Sequence, residues 1–347
     1  MRAVYFEEFG GAMRVVDLPD PEPAEGGVVV RVRATGICRS DWHGWMGHDP
    51  DVSLPHVPGH ELAGEVAAVG KGVKRWQVGD RVTVPFAVGC GECGPCRVGD
   101  LHICDHGFQP GFTAWGSFAE LVALPHADLN LVRLPDELDY VAAASLGCRF
   151  TTSYRAVVQQ GRVQAGEWVA IHGCGGVGLS AVMIAAAFGG RVIVVDVKPE
   201  ALAMAANLGA VKCLNAREVE DVPGAILEVT GGGAHLSLDA LGSRVTCRNS
   251  VACLRKRGRH VQVGLMLGEE RDPPIPMHLA IARELEILGS HGMPARSYPE
   301  LMDLLAQGRM DPRLLVRRTV RLEESVKELI GMGDFSGEGI AVVDRFD

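Results

Sequence analysis

Short runs of apolar residues, broken by glycine and proline, dominate the first part of the chain. The clearest runs lie at residues 28–32, 62–69, 81–84 and 118–124. Runs of this length between turn-forming residues are typical of β-strands. The sequence therefore predicts a mostly β region over about the first 145 residues.

The pattern changes near Ala142, where strands of five or six residues begin to alternate with amphipathic helices. Strands are predicted at residues 168–172, 191–195, 235–239 and 260–263, and helices at 177–188 and 199–208. This alternation is the sequence form of βαβ units around a parallel sheet. The chain is therefore expected to be of the α/β class, with a doubly wound parallel sheet in this part.

Beyond residue 285 the alternation weakens. Helices are predicted at 298–307 and 322–332, and they flank a strand at 315–320. A last apolar run at 340–343 is too short to fold alone, because an isolated strand buries little surface. We expect this strand to rejoin the first region.

Composition and charge narrow the function classes. The chain has 347 residues, of which 47% are hydrophobic and 22% charged, which suits a globular protein of two domains. The net charge is −9, with acids and bases interspersed, which argues against nucleic acid or an anionic membrane as partner. The apolar runs end well before the length of a membrane span. Residues 1–6 have the pattern of a strand and not of a targeting segment, and ten cysteines favour metal-held thiolates in a reducing cytoplasm.

Four cysteines follow one another closely, in the order Cys90-x2-Cys93-x2-Cys96-x7-Cys104. Thiolates at this spacing can close around one tetrahedral zinc ion. A disulfide interpretation would need an oxidising compartment. Because four thiolates leave no vacant position for substrate, this predicted site is structural.

A glycine-rich segment, Gly173-Cys174-Gly175-Gly176-Val177-Gly178, lies between the strand predicted at 168–172 and its helix. It satisfies the dinucleotide fingerprint G-x-G-x-x-G. Gly173 permits a tight turn, Gly175 lets a pyrophosphate approach the backbone, and Gly178 allows close packing of helix on sheet. The helix N-terminus attracts phosphate.

Asp196 closes the next predicted strand, at the position where an acid accepts the adenosine ribose hydroxyls and repels a 2′-phosphate. NAD is therefore favoured over NADP. The alternative is that Asp196 only caps the helix that opens at Pro199. Lys198 is either a contact to adenosine or a solvated side chain.

A second metal site is suggested by residues far apart in sequence: Cys38, His60 and Cys148. Two thiolates and one imidazole leave zinc a fourth position for water or alcohol, as in catalytic sites. Taken singly, each has a simpler explanation. Cys148 could be a packed thiol at a helix start, and His60 could cap a turn.

The chain resembles the zinc-dependent medium-chain alcohol dehydrogenases over essentially all 347 residues. The resemblance rests on Gly59-His60-Glu61 with its trailing glycines, on the four-cysteine lobe and on the Gly173 fingerprint, which occur in the order of that family. It implies a GroES-like, mostly β catalytic domain at 1–147 with a zinc lobe at about 89–105. It also implies a Rossmann domain at 148–286 and a return to the catalytic domain at 287–347.

The same resemblance implies roles for single residues. Cys38, His60 and Cys148 match the ligands of a catalytic zinc, and Glu61 the carboxylate that can approach the metal. Asp41 matches the acid that hydrogen-bonds the ligand histidine. The remaining matches are Ser40 beside the substrate hydroxyl, His43 as outer base of the proton relay, Arg39 on the cofactor pyrophosphate and Thr152 beside the nicotinamide. Cys90, Cys93, Cys96 and Cys104 match the structural zinc ligands.

One departure concerns a basic residue that many members carry near the C-terminal strand. The matching stretch here is Gly337-Glu338-Gly339-Ile340-Ala341, which has no base. Either Arg39 alone supplies the positive charge for the cofactor phosphates, or Arg345 substitutes.

The sequence thus predicts an NAD-dependent enzyme that interconverts alcohols and aldehydes or ketones. A zinc-bound alkoxide would donate hydride, and its proton would leave through Ser40, a cofactor ribose hydroxyl and His43, whose imidazole is expected to titrate near neutrality. The alternatives are a polyol or glutathione-linked formaldehyde dehydrogenase, a non-enzymatic zinc protein, and a zinc-free reductase of the same architecture.

The roles of several other side chains are less strongly indicated by the sequence. Four aromatic residues either line an apolar substrate pocket or belong to the core: Trp42, Trp45, Phe86 and Trp115. His48 and His56 are expected to be solvated. The apolar segment at 273–287 resembles the subunit contact of the family, so a homodimer or homotetramer is expected.

Overall fold

A computed structural model describes residues 1–334 and 339–347. The chain divides into two compact units. We call Met1–Cys148 with Gly292–Asp347 the first unit, and Arg149–His291 the second unit. Within the described residues, no helix combines the length and the apolar character needed to cross a bilayer.

The strands of the first unit are β1 (Arg2–Tyr5), β2 (Arg14–Asp17), β3 (Val28–Ile37), β4 (Glu61–Val69), β5 (Arg81–Thr83), β6 (Leu121–Leu124) and β7 (Val132–Arg133). The second unit contributes β8 (Trp168–His172), β9 (Arg191–Asp196), β10 (Ala210–Asn215), β11 (Ala234–Asp239), β12 (Leu254–Gln262) and β13 (Glu286–Gly289). The chain then returns to the first unit with β14 (Val316–Arg321) and β15 (Ile340–Arg345).

The helices of the first unit before the crossover are α1 (Arg39–Trp45), α2 (Gly94–Arg97), α3 (Ala127–Asn130) and α4 (Tyr140–Ser145). The second unit has α5 (Thr151–Tyr154), α6 (Gly176–Ala187), α7 (Pro199–Asn207), α8 (Val222–Thr230), α9 (Arg244–Ala252) and α10 (Met277–Arg283). After the chain has returned to the first unit, it forms α11 (Tyr298–Ala306) and α12 (Leu322–Gly331).

The first unit is built on one mainly antiparallel sheet in the order β14-β15-β3-β4-β5-β7, and β6 also pairs with β3. The long strand β3 lies inside this sheet, and all four of its valines are buried. β15 pairs antiparallel with β3, with Ala341 opposite Ile37. The C-terminal strand therefore completes the sheet of the first unit.

The second unit is a six-stranded parallel sheet in the order β10-β9-β8-β11-β12-β13. Counted from β8, this order is 3-2-1-4-5-6, the doubly wound arrangement of dinucleotide-binding domains. β8 is central, and Val169, Ala170 and Ile171 have no exposed surface. The predicted α/β class with a Rossmann sheet is confirmed.

The edge strands of this sheet differ most from the sequence prediction. β10 and β13 have largely exposed or half-buried residues, so neither has the apolar run that identifies a buried strand. β12 begins six residues before the predicted strand at 260, in a segment rich in Arg and Lys. The ladder with β11 pairs Ala234 with Leu254 and Leu236 with Arg259, and the basic residues between these two pairs form an irregularity in the register.

Candidate active site and metal centres

The four cysteines of the lobe meet in one cluster. The sulfurs of these residues all lie within 4.8 Å of one another: Cys90, Cys93, Cys96 and Cys104. The short helix α2 begins just after Cys93 and turns Cys96 back towards it. Four soft sulfur donors at this separation suit zinc, so the residues present fit the predicted structural ion.

Backbone N–H groups already favour thiolates in this lobe. Glu92 donates its N–H to the sulfur of Cys90, and both Cys90 and His106 donate to the sulfur of Cys104. The N–H groups of Glu92 and Cys93 lower the pKa of Cys90 to about 6. Burial instead raises the pKa of Cys96 to about 12, so a metal has to supply the free energy for its deprotonation.

A second donor cluster forms from three separate elements of the first unit. Cys38 is the residue before α1, His60 and Glu61 stand at the start of β4, and Cys148 lies in a π-helical turn after α4. Pairing of β3 with β4 places Gly36 opposite Glu61, which brings the two strand ends together. One donor atom of each of the four residues lies within 4.8 Å of the others.

The carboxylate of Glu61 belongs to this donor set together with the three residues predicted as ligands. The N–H of Cys148 donates to Oε1 of Glu61 at 3.3 Å, which orients the carboxylate. The fourth corner of the cluster is therefore formed by a carboxylate oxygen here.

Asp41 fixes the orientation of His60. Its Oδ1 accepts from Nδ1 of His60 at 2.7 Å and from the N–H of Gly59, while its Oδ2 accepts from the N–H of Cys38. With Nδ1 carrying the proton, Nε2 of His60 presents its lone pair to the cluster. That buried Nε2 has no hydrogen-bond partner among the described residues. A metal ion satisfies it, so the residues present fit the predicted catalytic zinc.

Close backbone crossings hold this cluster together. Gly59 has φ +107°, and a Cβ on Gly116 would lie 2.1 Å from the carbonyl oxygen of Gly59. A Cβ on Gly147 would lie 2.8 Å from the Cα of Glu61. Side chains at these positions would push His60 and Cys148 apart, because neither backbone can retreat.

Aromatic rings cover one side of His60. Phe86 and Phe112 pack edge-on against its imidazole, with ring centroids at 6.1 and 5.3 Å. Phe112 was not predicted from the sequence, since it stands in a glycine-rich loop without periodicity. Trp45 is a core residue, and Trp115 is exposed with its N–H on the carbonyl of Pro55. Of the four predicted aromatics, Phe86 alone contacts the histidine of the cluster among the described residues.

The predicted relay residues lie on α1. Ser40 Oγ is 3.8 Å from the sulfur of Cys38. His43 is half-buried, and its Nδ1 lies 3.0 Å from Nδ1 of the exposed His48. Burial, with Arg39 and His48, lowers the pKa of His43 to about 4, below the near-neutral titration expected from its residue type. His43 is therefore neutral at physiological pH.

Two of the weaker expectations can be judged. His48 is exposed, as expected. His56 is buried and packs edge-on against Phe6, so the expectation that it is solvated is wrong. The strand pairing between Phe6 and His56 draws this residue inward, which the proline-rich sequence around it did not indicate.

The fingerprint glycines of the second unit follow β8 directly. Gly173 has φ +97°, and a Cβ on Gly178 would lie 1.8 Å from the carbonyl oxygen of Gly173. Gly175 faces open space, and α6 begins with Gly176 and Val177. A backbone surface without side chains therefore adjoins a helix N-terminus, which suits a phosphate group.

Gly176 lies close to a side chain that the fingerprint does not involve. A Cβ there would lie 2.4 Å from Cδ of Arg149, a buried residue that the sequence did not single out. Thr152, on the helix that follows Arg149, is buried, and its hydroxyl lacks a hydrogen-bond partner within residues 1–334 and 339–347. That hydroxyl is thus available to a ligand.

Asp196, at the end of β9, accepts three backbone hydrogen bonds. Its Oδ2 accepts from Cys174 at 2.6 Å, and its Oδ1 accepts from Val197 and Lys198. Val197 and Lys198 both precede α7, which has no side-chain hydrogen bond at its N-cap, so Asp196 does not cap this helix and that interpretation is wrong. Asp196 is only half-buried, and its carboxylate orients the turn between β9 and α7.

Arg39 and Arg345, the two basic residues considered for the cofactor phosphates, lie in different surroundings. Arg39 lies over the ring of Trp42 at 4.9 Å and donates to the carbonyl of Met332. Arg345 is exposed and donates to Asp344 and to the carbonyl of Thr319. The prediction about Gly337 and Glu338 falls outside the described residues. Gly339, Ile340 and Ala341 are described, and the last two belong to β15.

Two family models match the chain. The alcohol dehydrogenase GroES-like domain matches residues 24–136, and the zinc-binding dehydrogenase model matches residues 176–307. The first covers Cys38, His60 and the cysteine lobe, and the second begins inside the fingerprint. The fold and the site thus define a zinc-binding dehydrogenase.

Whole-chain similarities agree. An alcohol dehydrogenase of Geobacillus stearothermophilus is 33% identical, covering 97% of both chains. An NAD-dependent alcohol dehydrogenase of Sulfurisphaera tokodaii is 33% identical, covering 99% of both. The solved alcohol dehydrogenase of Thermus sp. ATN1 superposes with a TM-score of 0.92 at 31% identity, covering 100% of both chains. The chain belongs to the zinc-dependent medium-chain alcohol dehydrogenase family.

Proposed function

We propose that this protein is an NAD-dependent oxidoreductase that interconverts alcohols with aldehydes or ketones. The observation that carries the proposal is the convergence of Cys38, His60 and Cys148 in one buried donor cluster of the first unit. Two sulfurs and one imidazole nitrogen are the donor set of a zinc ion that retains an exchangeable position. The doubly wound sheet of the second unit supplies a dinucleotide-binding site.

Zinc at this cluster supplies Lewis acidity, which lowers the pKa of a substrate hydroxyl, and NAD supplies the hydride acceptor. The residues of the chain do the remaining work. Asp41 holds the proton on Nδ1 of His60, so that Nε2 stays a donor. Phe86 and Phe112 exclude water from one side of the imidazole. Withdrawal of Glu61 opens the position that the substrate takes.

Two zinc ions per chain are proposed, one catalytic and one structural. The catalytic ion would be held by Cys38, His60 and Cys148, and the structural ion by the four cysteines of the lobe. The support is chemical: the lobe offers four sulfurs and no exchangeable corner, whereas the other cluster contains a carboxylate that can leave.

NAD is proposed in preference to NADP. The half-buried carboxylate of Asp196 at the end of β9 would repel a 2′-phosphate. The fingerprint residues and Lys198 would hold the adenosine and pyrophosphate, Arg39 the pyrophosphate, and Thr152 the nicotinamide. For the proton, Ser40 is proposed as first acceptor from the substrate and His43 as the outer base.

A homodimer or homotetramer in the cytoplasm is proposed as the state of the protein. The segment expected at subunit contacts exposes Met277, Ile281 and Ile287, of which Ile281 is 79% exposed. Burial of such a surface by a second copy is favourable. Sedimentation equilibrium should give a mass of twice or four times 37.0 kDa, and a species of 37.0 kDa would exclude the proposed assembly.

Initial rates of NADH formation test the proposed reaction. The panel contains primary, secondary and aromatic alcohols, a polyol, and formaldehyde with glutathione, each with NAD and with NADP. Turnover of simple alcohols with NAD is expected, and preference for the polyol or the glutathione adduct would shift the substrate class within the same reaction. A protein with both zinc ions bound but no turnover in any arm would instead be a non-enzymatic zinc protein.

A further inference from the structure

His43 lies on α1 and His48 lies just after it, and their rings are so close that one must donate a hydrogen bond to the other. Nδ1 of His43 and Nδ1 of His48 are 3.0 Å apart, a hydrogen-bond distance. Two nitrogens at this distance bond only if one carries a hydrogen and the other a lone pair. The two rings therefore hold complementary protonation at these atoms.

The backbone fixes this pairing. The N–H of His48 donates to the carbonyl oxygen of His43 at 3.0 Å. The turn between them runs through Gly47, whose φ is +74° and whose missing Cβ would lie 2.9 Å from the ring of Phe9. A glycine in this conformation brings the chain back on itself, so that the second imidazole returns to the first.

Trp42 adds a side-chain support for both rings. Its ring packs edge-on against His43 at 5.0 Å and against His48 at 5.5 Å, while the guanidinium of Arg39 covers it at 4.9 Å. Contacts of this kind restrict the rotation of both imidazoles. The ring of Trp42 thus supports both members of the pair, and Arg39 supports Trp42.

The two rings differ in exposure. His43 is half-buried and His48 is exposed to solvent. The low pKa of His43, caused first by its burial, means that this ring does not store a proton at neutral pH. A proton that reaches it must be passed on at once.

We propose that His48 is the solvent-side partner of His43, a positioning residue that carries the proton of the substrate alcohol from His43 to water. This inference rests on the proposed function and extends it. When Nε2 of His43 gains a proton, its Nδ1–H bond breaks and an N–H bond forms at Nδ1 of His48. Nε2 of His48 then loses its proton to water. One proton enters and one leaves, and exchange with water between turnovers restores the starting tautomers.

Two substitutions separate relay from packing. His48→Gln keeps an oxygen that accepts from His43 but cannot pass a proton on, and His48→Ala leaves room for added imidazole. His126→Asn, at an exposed histidine of the first unit whose φ of +50° asparagine tolerates, is the matched control. Proton release is followed with an indicator dye beside NADH formation in a single turnover, in H₂O and D₂O.

Proton release in the His48 variants is expected to slow by about 10-fold, less than for a typical general base because water partly replaces the ring. The solvent isotope effect should rise, and imidazole should restore the rate of His48→Ala alone. Unchanged proton release and isotope effect in both variants would overturn the proposal. Absence of turnover in the unmodified protein would instead overturn the proposed function.

A second readout needs no turnover. Nitrogen-15 shifts of labelled histidine report which ring nitrogen carries hydrogen. The unmodified protein should show His43 and His48 with opposite states at Nδ1, and His48→Ala should change the state of His43. Identical His43 shifts in the two proteins would contradict the pairing on which the relay depends.

Discussion

The two metal clusters of the first unit differ in how the chain builds them. The lobe draws four cysteines from one short segment, Cys90 to Cys104, and leaves Cys90 and Cys104 only half-buried. The other cluster draws Cys38, His60 and Cys148 from three elements and buries the first two. The lobe is local and consists of four sulfurs, whereas the second cluster depends on the β3–β4 pairing and includes the carboxylate of Glu61. A local site suits a structural ion, and a site assembled by the fold suits chemistry.

The largest effect is expected from Cys148→Ser. Loss of a sulfur donor should remove the Lewis acid, which contributes several kcal/mol, so turnover should fall by about a thousandfold or more. Zinc analysis should show one ion lost and the lobe ion kept. Cys213→Ser, a half-buried thiol outside both clusters, is the control. Loss of both ions from Cys148→Ser would mean that the clusters are not independent.

Cys93→Ser should affect stability and not chemistry. Removing one of the four cysteines should release the structural ion. The free energy of unfolding should then fall by several kcal/mol, which is a fraction of the free energy that zinc binding contributes to a zinc finger. Thermal unfolding with and without added zinc measures it. Protein that stays folded should keep most of its turnover per catalytic ion. A stable but inactive variant would reverse the roles assigned to the two clusters.

Asp41→Asn tests the hydrogen bond from His60 to Asp41, which has no counterpart in the four-cysteine lobe. The single amide oxygen can replace Oδ1, which accepts from Gly59 and His60, but the NH2 group cannot accept from the N–H of Cys38 as Oδ2 does. The negative charge that raises the basicity of His60 is also lost. Metal affinity or turnover should fall by about 10- to 100-fold. Zinc-affinity titration separates the two effects. An unchanged affinity and rate would show that the carboxylate does not orient the ligand.

The smallest effect is a pH dependence located in the second unit, which contains neither cluster. Burial lowers the pKa of His172 to about 3 and of His260 to about 4. The unfolded chain binds these protons more readily, so stability is present above about pH 6.5 and falls as pH drops towards these values. Between pH 6.5 and 5 the loss should be about 1.5 kcal/mol per histidine, because the unfolded imidazole is already half protonated at pH 6.5.

Melting curves of His260→Gln against the unmodified protein check this dependence. The variant should have a shallower loss of stability over the same range, whether or not a chelator is present. If the slope disappears with the chelator alone, the acid sensitivity belongs to the metal clusters and not to the second unit.

Local sequence patterns predicted those elements whose structure depends mainly on residues close to one another in the chain. The strand at 168–172 and its fingerprint have both an apolar run and a turn that requires glycine, and the lobe has ligand spacing. The edge strands β10 and β13 were missed because pairing, and not side-chain burial, holds them in the sheet.

The second metal cluster lay beyond local patterns. The positions of its donors depend on the β3–β4 register and on the contact of Gly147 with Glu61, which no spacing encodes. Its ligands were predicted through family resemblance, and neither Phe112 nor the His43–His48 contact carried any sequence signal.

Anomalous diffraction at the zinc absorption edge, from crystals of the purified protein, tests the central claim most directly. The account predicts two peaks per chain, one in the lobe and one at about 2.0–2.3 Å from the sulfurs of Cys38 and Cys148 and from Nε2 of His60. A peak in the lobe alone, from zinc-replete protein that oxidises alcohols at full rate, would contradict it.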